Sequence, residues 1–314
     1  FSSFLLLTPF YTMSEKGEKI SGVLSLDRLG AKGMFLGMLV AFLAAEIYCW
    51  ATKKGWQIKM PDSVPPAVAK SFAALIPAVL TLSIFLFVNG FFDANLHDII
   101  YKVIQTPLVG LGSSIWATLV AIFFVQFLWF FGLHGQILVN SVMDPIWNTL
   151  MLDNLEAYQA GKHLPHIISK SFMETFTVGL GGSGMTLAVV IIMAFILKKK
   201  MYKDVGRLAL GAGLFNVNEP VIFGLPIVLN ATILIPWVLA PIVVTAFNYI
   251  VMAVGIVPAP TGVAVPWTVP VFFSGMLATN SILGGVLQLV DMVIVGFIWY
   301  PFLRMLDKQP DSVL

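Results

Sequence analysis

The longest uncharged stretch of the chain, residues 220–290, reads PVIFGLPIVLNATILIPWVLAPIVVTAFNYIVMAVGIVPAPTGVAVPWTVPVFFSGMLATNSILGGVLQLV. A helix needs about 20 apolar residues to cross the hydrocarbon core of a bilayer, so this stretch is long enough for more than one crossing. Prolines break it at positions 226, 236, 241, 258, 260, 266 and 270. Non-helical backbone at membrane depth is tolerated only where protein or a water-filled cavity covers it. The stretch therefore predicts transmembrane helices interleaved with re-entrant segments.

The rest of the chain has the same membrane character. Of the 314 residues, 58% are hydrophobic and 11% are charged, whereas an ordinary soluble domain carries roughly 25% charged residues. This composition excludes intrinsic disorder, a nucleic-acid-binding domain and a typical soluble enzyme. We therefore predict an all-α, polytopic membrane protein in contact with the lipid bilayer. No loop is long enough for a soluble domain, so an energising domain is expected on another chain.

Uncharged runs and breaks along the chain predict the order of its segments. Spans are predicted at residues 1–11 (the end of a span), 32–52, 66–91, 113–133, 135–152 (short and interrupted), 184–199, 226–256 and 281–303. Re-entrant segments are predicted at 170–183, 208–225 and 258–279, with polar connections at 12–30 (containing short helices) and 153–169. Residues 93–106 predict an amphipathic helix at the membrane interface, because charged and apolar side chains alternate there. The chain begins inside an apolar run, which we interpret as an incomplete N-terminus rather than a signal peptide.

Basic residues in short loops predict the orientation in the membrane, since Lys and Arg concentrate on the cytoplasmic side. Three clusters are expected there: Lys53, Lys54 and Lys59; Lys198, Lys199, Lys200, Lys203 and Arg207; and Arg304 with Lys308.

The sequence FNVNEPVIFGLP, residues 215–226, concentrates polar groups inside an apolar region. Asn216, Asn218 and Glu219 occupy three of four successive positions, and prolines and a glycine break the helix around them. Amide and carboxylate groups suit a polyhydroxylated ligand, because each sugar hydroxyl both donates and accepts hydrogen bonds. The alternative is structural: an Asn side chain caps a short helix, with Glu219 on its first turn.

His134 lies in FFGLHGQ, residues 130–136, with glycines close on either side that let a ligand approach the backbone. The alternative is a histidine hydrogen-bonded within a helix contact. A metal site is not expected, because no second His or Cys stands at ligand spacing.

Two further segments are candidate ligand contacts. VGLGGSG, residues 178–184, predicts a tight re-entrant tip whose backbone N–H groups face a ligand, with close helix packing as the rival. Trp267, between Pro266 and Thr268, offers an apolar face to the C–H side of a sugar and one N–H donor. Its alternative is an anchor in the aromatic belt of the membrane interface.

Other polar residues in apolar segments are interpreted as structural. Glu46 and Asp144 are read in this way, and Asp291 is expected to pair with a neighbour beside Gln288. Asn280 is a candidate cap of the last helix. Glu174 also falls beside an apolar segment. Because an ionisable group inside a membrane is costly, it is a functional candidate by default, with no specific role assigned.

Three motifs together carry a resemblance to a known family: KMPDSVPPAV (59–68), FGLHG (131–135) and FNVNEPVIFGLP (215–226). The chain resembles the membrane component, enzyme IIC, of the bacterial phosphoenolpyruvate-dependent sugar phosphotransferase system. Its branch is that of the lactose, cellobiose and diacetylchitobiose transporters. Family members have further spans before the position that is Phe1 here.

The resemblance implies a multi-pass homodimer in the bacterial cytoplasmic membrane that needs no metal or cofactor. Residues 1–112 would form an N-terminally truncated scaffold half, 113–306 the sugar-binding transport half and 307–314 a cytoplasmic tail. A separate IIB subunit, phosphorylated on cysteine, would phosphorylate the sugar 6-hydroxyl during transport, so that the protein is enzymatic only with its partners.

The resemblance also assigns residues to the sugar site. His134 and Glu219 match the pair that contacts the reacting hydroxyl, with Glu219 as a candidate general base. Trp267, Gly181 and Gly182 match positions around the sugar rings, and the amides Asn216 and Asn218 complete the predicted site.

Other functional classes remain open at this point. A transporter driven by H⁺ or Na⁺ also uses broken helices and buried acids, here Glu219 and Asp291. A channel would need a ring of like residues along a pore, which the sequence lacks. An enzyme acting alone would need a metal cluster or a nucleophile–base pair.

Overall fold

The computed structural model describes residues 1–13, 19–61, 64–92, 96–225 and 227–309. By internal contacts it divides into two compact units, Phe1–Leu108 and Val109–Leu314. The predicted boundary between the two halves lies a few residues further along, between 112 and 113. The roles assigned to the halves and to the tail at 307–314 stay predictions; the last helix runs to Lys308, and residues 310–314 lie outside the described residues.

The first unit is built mainly of helices. Its elements are α1 (Ser2–Leu7), β1 (Tyr11–Met13), β2 (Lys19–Ser21), α2 (Leu26–Leu29), a 3₁₀ turn (Ala31–Gly33), α3 (Met34–Lys53), α4 (Pro66–Phe91), α5 (Leu96–Ile100), a π-helical turn (Tyr101–Gln105) and α6 (Thr106–Gly112), which crosses the unit boundary. Two spans lie where they were predicted. α4 begins at Pro66, as expected because Pro is favoured in the first helical turn, where its missing N–H has no partner to lose.

The polar connection predicted at 12–30 contains an antiparallel strand pair that the sequence did not suggest. Tyr11 pairs with Ser21 and Met13 with Lys19. The Arg28 guanidinium donates to the carbonyl of Tyr11 at 3.0 Å and also lies over its ring. These contacts join residues well separated along the chain, so local sequence preference did not reveal them.

The predicted interfacial helix at 93–106 is observed from residue 96 onward and continues through α6 to Gly112. Residues 93–95 lie outside the described residues. His97 does not face water as an interfacial polar residue would; it is buried, and its Nε2 shares a 3.0 Å hydrogen bond with Thr8 Oγ1.

The second unit contains the remaining helices. They are α7 (Ile115–Phe130), α8 (Gly135–Gln159), α9 (Lys170–Phe176), a 3₁₀ turn (Val178–Leu180), α10 (Leu187–Phe195), α11 (Lys200–Leu214), α12 (Glu219–Gly224), α13 (Ala231–Ala253), α14 (Phe273–Thr279) and α15 (Ile282–Lys308). Helices α3, α4, α13 and α15 are long and apolar enough to cross a membrane, and the bent pair 96–112 and 115–130 would make a fifth span. The predicted all-α membrane fold is confirmed.

Two predicted spans of this unit are wrong in detail. α8 runs unbroken through Pro145 to Gln159, so it is neither short nor interrupted, and the following connection begins later. Its polar far end is held by protein: Asn154, fully buried, donates to the carbonyls of His166 and Pro260. The span predicted at 184–199 contains only α10, whose nine residues are about 14 Å long at 1.5 Å per residue, too short for a bilayer of about 30 Å.

The segments predicted as re-entrant contain helices of six or seven residues, namely α9, α12 and α14, separated by non-helical backbone. One boundary differs from prediction. α11 already begins at Lys200, inside the stretch that was assigned to a basic loop, and it is amphipathic rather than apolar. A central core of large buried side chains, including Trp237, Trp299 and Tyr202, packs these pieces together.

Two of the basic clusters meet in space. Asp307, near the end of α15, accepts hydrogen bonds from the backbone N–H groups of Lys198 and Lys199, at 2.9 and 2.8 Å. Arg304 lies 3.6 Å from the same carboxylate. The start of α11 and the end of α15 therefore lie at the same end of this unit, as the charge pattern requires.

We expect Asp307→Ala to lower the free energy of unfolding by about 1–2 kcal/mol, because two N–H groups in part-buried hydrogen bonds lose their acceptor. Thermal unfolding of the purified, detergent-solubilised chain measures this change. Lys308→Ala, at the exposed neighbouring position, is the control and should leave the melting temperature unchanged. An equal melting temperature for Asp307→Ala and the unaltered protein would contradict the anchoring role.

Candidate functional site

The second unit encloses a cavity of about 320 Å³. This volume falls within the range of roughly 300–1,000 Å³ that is typical of small-molecule sites. Its lining combines aromatic, amide, hydroxyl and charged side chains: Trp129, His134, Gln136, Ile137, Asn140, Lys170, Met173, Glu174, Val178, Gly182, Ser183, Asn216, Asn218, Glu219 and Trp267. Most of the residues predicted from sequence are among them.

His134 and Glu219 line this one cavity although they lie 85 positions apart along the chain. His134 caps the start of α8, and Glu219 is the first residue of α12. Both side chains are exposed. The convergence that the sequence predicted is thus observed.

The orientation of the His134 ring is held by two contacts. Its Nδ1 accepts the backbone N–H of Ile137 at 3.3 Å, and its ring centroid lies 4.4 Å from that of Trp129. A neutral imidazole whose Nδ1 accepts a hydrogen bond carries its proton on Nε2. His134 therefore offers one N–H donor to the cavity. Its bond to the start of α8 is also the structural role that the sequence left as the alternative, so the histidine combines the two.

The helix-capping alternative for the Asn-Glu motif is wrong for both amides. Asn218 stands at the N-cap of α12 but makes no side-chain capping bond; its Nδ2 instead donates to the carbonyl of Ser183 at 2.7 Å. Glu219 does lie on the first turn of α12, where the helix dipole favours its charge.

Asn216 holds three segments of backbone together. Its Oδ1 accepts the N–H of Gly181 at 2.7 Å, and its Nδ2 donates to the carbonyls of Trp267 and Val269 at 2.6 and 3.1 Å. The side chain is 2% exposed, and the residue has φ +64°, which Asn tolerates better than most residues. Asn216 therefore joins three segments: the glycine-rich turn at residues 178–184 (the glycine turn), the α11–α12 connection and the segment that carries Trp267.

In the glycine turn, two N–H groups that the sequence interpretation offered to a ligand are already bonded within the protein. The N–H of Gly181 binds Asn216, and that of Gly182 binds the carbonyl of Val178 at 2.8 Å. Gly182 lines the cavity, whereas Gly181 is not among the lining residues. Both have positive φ, and a Cβ on Gly182 would lie 2.6 Å from Asn218 Cγ. Close backbone packing is the reason for glycine here.

We expect Gly182→Ala to weaken ligand binding at least about tenfold and to lower the melting temperature, because the methyl group meets Asn218 and the residue must keep φ +80°. Ligand titration and thermal unfolding of the purified chain measure both effects. Gly211→Ala is the matched control, since a Cβ there has nothing within 4 Å. Equal affinities of the two variants would show that the turn tolerates a side chain.

A polar network along one wall was not predicted. Trp129 Nε1 donates to Ser183 Oγ at 3.2 Å, Ser183 donates to Gln136 Oε1 at 3.2 Å, and Gln136 Nε2 donates to Asn140 Oδ1 at 3.3 Å. The four residues line the cavity. The spacing of Gln136 and Asn140, one helical turn apart directly after His134, was the available signal.

The cavity is also lined by part of a cluster of ion pairs. Lys170 Nζ lies 2.7 Å from Asp144 Oδ1 and 3.3 Å from Glu174 Oε1, so two carboxylates share one ammonium. The ion pair agrees with the structural interpretation of Asp144. Lys170 and Glu174 also line the cavity. Glu174 was a candidate only as an acid beside an apolar segment, and nothing in the sequence singled out Lys170.

The last helix, α15, is hydrogen-bonded to the short helices α9 and α14 through one buried side chain. Gln288, fully buried, accepts from the N–H groups of Phe272 and Gly275 and from Ser274 Oγ, and it donates to the carbonyl of Thr175. It thereby connects α15 with α9 and α14.

Asp291, as expected, pairs with a neighbour, Asn248. Asn280 does not cap α15.

The cap of α15 is Ser281, whose side chain accepts the N–H of Leu283. Asn280 instead has φ +49° and donates to the Tyr158 hydroxyl at 2.7 Å. The left-handed backbone of Asn280 ends α14, and so its side chain points away from the first turn of α15.

Comparisons with known proteins place this arrangement among sugar transporters. A family model described as "Phosphotransferase system, EIIC" matches residues 1–241. The oligo-beta-mannoside-specific EIIC component of Bacillus subtilis (strain 168) is 62% identical over 310 residues, covering 98% of this chain and 70% of that protein. The cellobiose-specific EIIC component of Geobacillus stearothermophilus is 41% identical over 320 residues, covering 98% and 71%.

A solved structure is similar over the same length. The crystal structure of the transporter ChbC, the IIC component from the N,N'-diacetylchitobiose-specific phosphotransferase system, matches with a TM-score of 0.91 at 40% identity. The match covers 98% of this chain and 73% of that one, so it includes the segments that line the cavity.

Proposed function

From the premise that this chain belongs to the EIIC family of the sugar phosphotransferase system, we propose that it binds a β-linked oligosaccharide in the cavity described above. It carries the sugar across the membrane while a phosphorylated IIB partner phosphorylates the sugar 6-hydroxyl. The chain is an integral protein of the cytoplasmic membrane and a sugar-permease component of a phosphotransferase system.

The observation that carries the proposal is that His134 and Glu219 line the same cavity. Their side chains have complementary hydrogen-bonding capacity. His134 supplies an N–H donor at Nε2, and Glu219 supplies a carboxylate acceptor. A hydroxyl both accepts and donates, so one sugar alcohol satisfies the two groups at once. In the proposed reaction these residues orient the 6-hydroxyl and exclude other hydroxyls from its place.

The transfer step balances with one proton moved. An oxygen–phosphorus bond forms at the sugar O6, and the sulfur–phosphorus bond of the partner's phosphocysteine breaks, leaving a thiolate. The hydroxyl proton passes to the Glu219 carboxylate, which acts as general base. This chain contributes binding and positioning, while the phosphoryl group comes from the partner.

The remaining walls support recognition of sugar rings. Trp267 is half-exposed and offers an indole face to the C–H side of a pyranose. The amide of Asn140 and the carboxylate of Glu174 offer partners to further hydroxyls. The similar proteins are named for oligo-β-mannoside, cellobiose and diacetylchitobiose, so β-linked disaccharides are the proposed class, with a β-mannoside first. The homodimer implied by the family is part of the proposal.

A binding and uptake panel tests this function. Purified protein is titrated with β-linked mannobiose, cellobiose and lactose, and with α-linked maltose for contrast. We expect β-linked sugars to bind, and His134→Ala to weaken that binding at least about tenfold because a hydrogen bond to the ligand is lost. Gly211→Ala, which meets no neighbouring atom, should bind as the unaltered chain does.

The same panel separates the proposal from its rival. Membrane vesicles that contain the chain, the IIB partner and its phosphoryl donors should accumulate sugar phosphate. Uptake of unmodified sugar that follows an H⁺ or Na⁺ gradient instead would select an ion-driven secondary transporter and overturn the proposed function.

A further inference from the structure

Asp291 lies in the interior of the second unit, away from the cavity. Asp291 on α15 and Asn248 on α13 are both fully buried, and neither lines the cavity. Asn248 Nδ2 donates to Asp291 Oδ2 at 2.9 Å. Val244 and Val295, one helical turn from Asn248 and Asp291 on the same helices, are also fully buried. The carboxyl group therefore lies in the protein interior, removed from bulk water.

Two oxygen atoms of this pair lack a partner. Asp291 Oδ1 and Asn248 Oδ1 are buried and make no hydrogen bond. Both are acceptors when the acid is ionised, so neither can satisfy the other. Among the described residues no Lys, Arg or His forms an ion pair with Asp291, and an unpaired carboxylate in such surroundings is strongly disfavoured.

One proton removes both deficits. We propose that Asp291 binds a proton on Oδ1 and donates it to Asn248 Oδ1. The acid and the amide then form a cyclic pair with two antiparallel hydrogen bonds, one of which is the observed bond to Oδ2. The pair joins α13 to α15 as a neutral unit, and every polar atom in it has a partner.

A bound metal cation fits this place less well. The only further unpartnered oxygen on the facing turn of α13 is Thr245 Oγ1, which gives three side-chain oxygens in all. Hard cations take about six or more oxygen ligands. Both helices run unbroken through these residues, so their carbonyls are engaged in helical hydrogen bonds. A proton needs only the one acceptor that is present.

The proton site has a consequence for transport. The sequence suggested two buried acids, Glu219 and Asp291, as candidates for ion coupling. Of these, Asp291 is the one that is fully buried. Because it is sealed from the cavity, its proton is structural and does not exchange with each transported sugar. This inference stands apart from the proposed sugar class and from the roles of His134 and Glu219.

Infrared difference spectroscopy of the full chain in lipid tests the protonation state. Subtracting the spectrum of Asp291→Asn from that of the unaltered protein should leave the C=O band of a protonated carboxyl at neutral pH, and deuterium oxide should shift it. Carboxylate bands in that difference spectrum would overturn the proposal. Thr245→Val is the matched control and should not move the band; a shift would make the Thr245 hydroxyl the acceptor and overturn the cyclic pair.

Uptake and stability of two variants test the structural role. Asp291→Asn retains a donor and an acceptor, so it should fold and transport sugar within about twofold of the unaltered chain. Asp291→Leu leaves Asn248 unpaired and should lower the melting temperature. If Asp291→Asn fails to fold or loses accumulation of sugar, the proton is not structural and the proposal is overturned.

Discussion

Glu219→Gln is expected to lower phosphorylation-coupled uptake by about 10²–10⁴-fold, the range that general base catalysis typically contributes. The amide has the shape of the carboxylate and still accepts a hydrogen bond, but it cannot take the hydroxyl proton. Sugar affinity should therefore stay within about threefold, since the loss falls on the transition state.

The measurement combines two assays on the same preparation. Single-turnover formation of sugar phosphate by the phosphorylated partner reports the chemical step, and equilibrium titration with unphosphorylated sugar reports binding. Glu46→Gln makes the same chemical change at an exposed acid on α3 and should alter neither. Full phosphorylation by Glu219→Gln would exclude the base role, while a parallel loss of binding would reassign Glu219 to positioning alone.

Asn216→Ala is expected to lower the free energy of unfolding by about 3–5 kcal/mol, because one buried and two part-buried backbone groups lose their partner and alanine is strained at positive φ. The cavity should lose its shape as well, since Gly181 and Trp267 are no longer held to one another through this side chain. Thermal unfolding and ligand titration of the purified chain measure the two effects.

Two comparisons separate the causes. Asn216→Gly removes the side chain but permits the backbone conformation, so it isolates the hydrogen bonds from the strain. Asn280→Ala is the matched control, because Asn280 also has positive φ but makes a single exposed hydrogen bond. If Asn216→Ala were no more destabilising than Asn280→Ala, the three side-chain bonds of Asn216 would contribute nothing measurable.

Much of the fold follows from local sequence. α4 begins at the proline-marked entry and ends where the apolar run ends. α13 lies within the predicted proline-bearing span, and the last span begins at its polar break. In each case about 20 or more apolar residues coincide with a bounded helix, because a bilayer leaves the backbone few other ways to satisfy its hydrogen bonds.

The errors have a common origin in tertiary contacts. α8 extends beyond its apolar part because Asn154 and the Lys170–Asp144 pair supply protein partners for its polar residues. α10 is short because the glycine turn before it packs against the large core side chain Trp237. Apolar length alone does not distinguish a span from a helix that is buried in protein.

Only part of the candidate site could be predicted from the sequence, because its other residues are placed by tertiary contacts. His134 and Glu219 stood out as isolated ionisable groups within apolar, glycine- and proline-broken segments. Lys170 and Glu174 lie in a segment of mixed polarity, where charged side chains are ordinary. Their place on the cavity depends on how α9 folds back beside α8, which no short motif encodes.

The amino-acid sequence alone determines that this is a helical membrane protein with broken segments and a cluster of polar groups at residues 216–219, since hydropathy and chain-breaking residues act locally. Tertiary structure alone decides how each of those groups is used. Asn216 and Glu219 are three positions apart and both line the cavity, yet the buried Asn216 is bonded to backbone 35 and 51 residues away, whereas Glu219 is exposed. A hydrogen bond depends on the distance and angle between its partners, and only the packed chain sets these for residues so far apart in sequence.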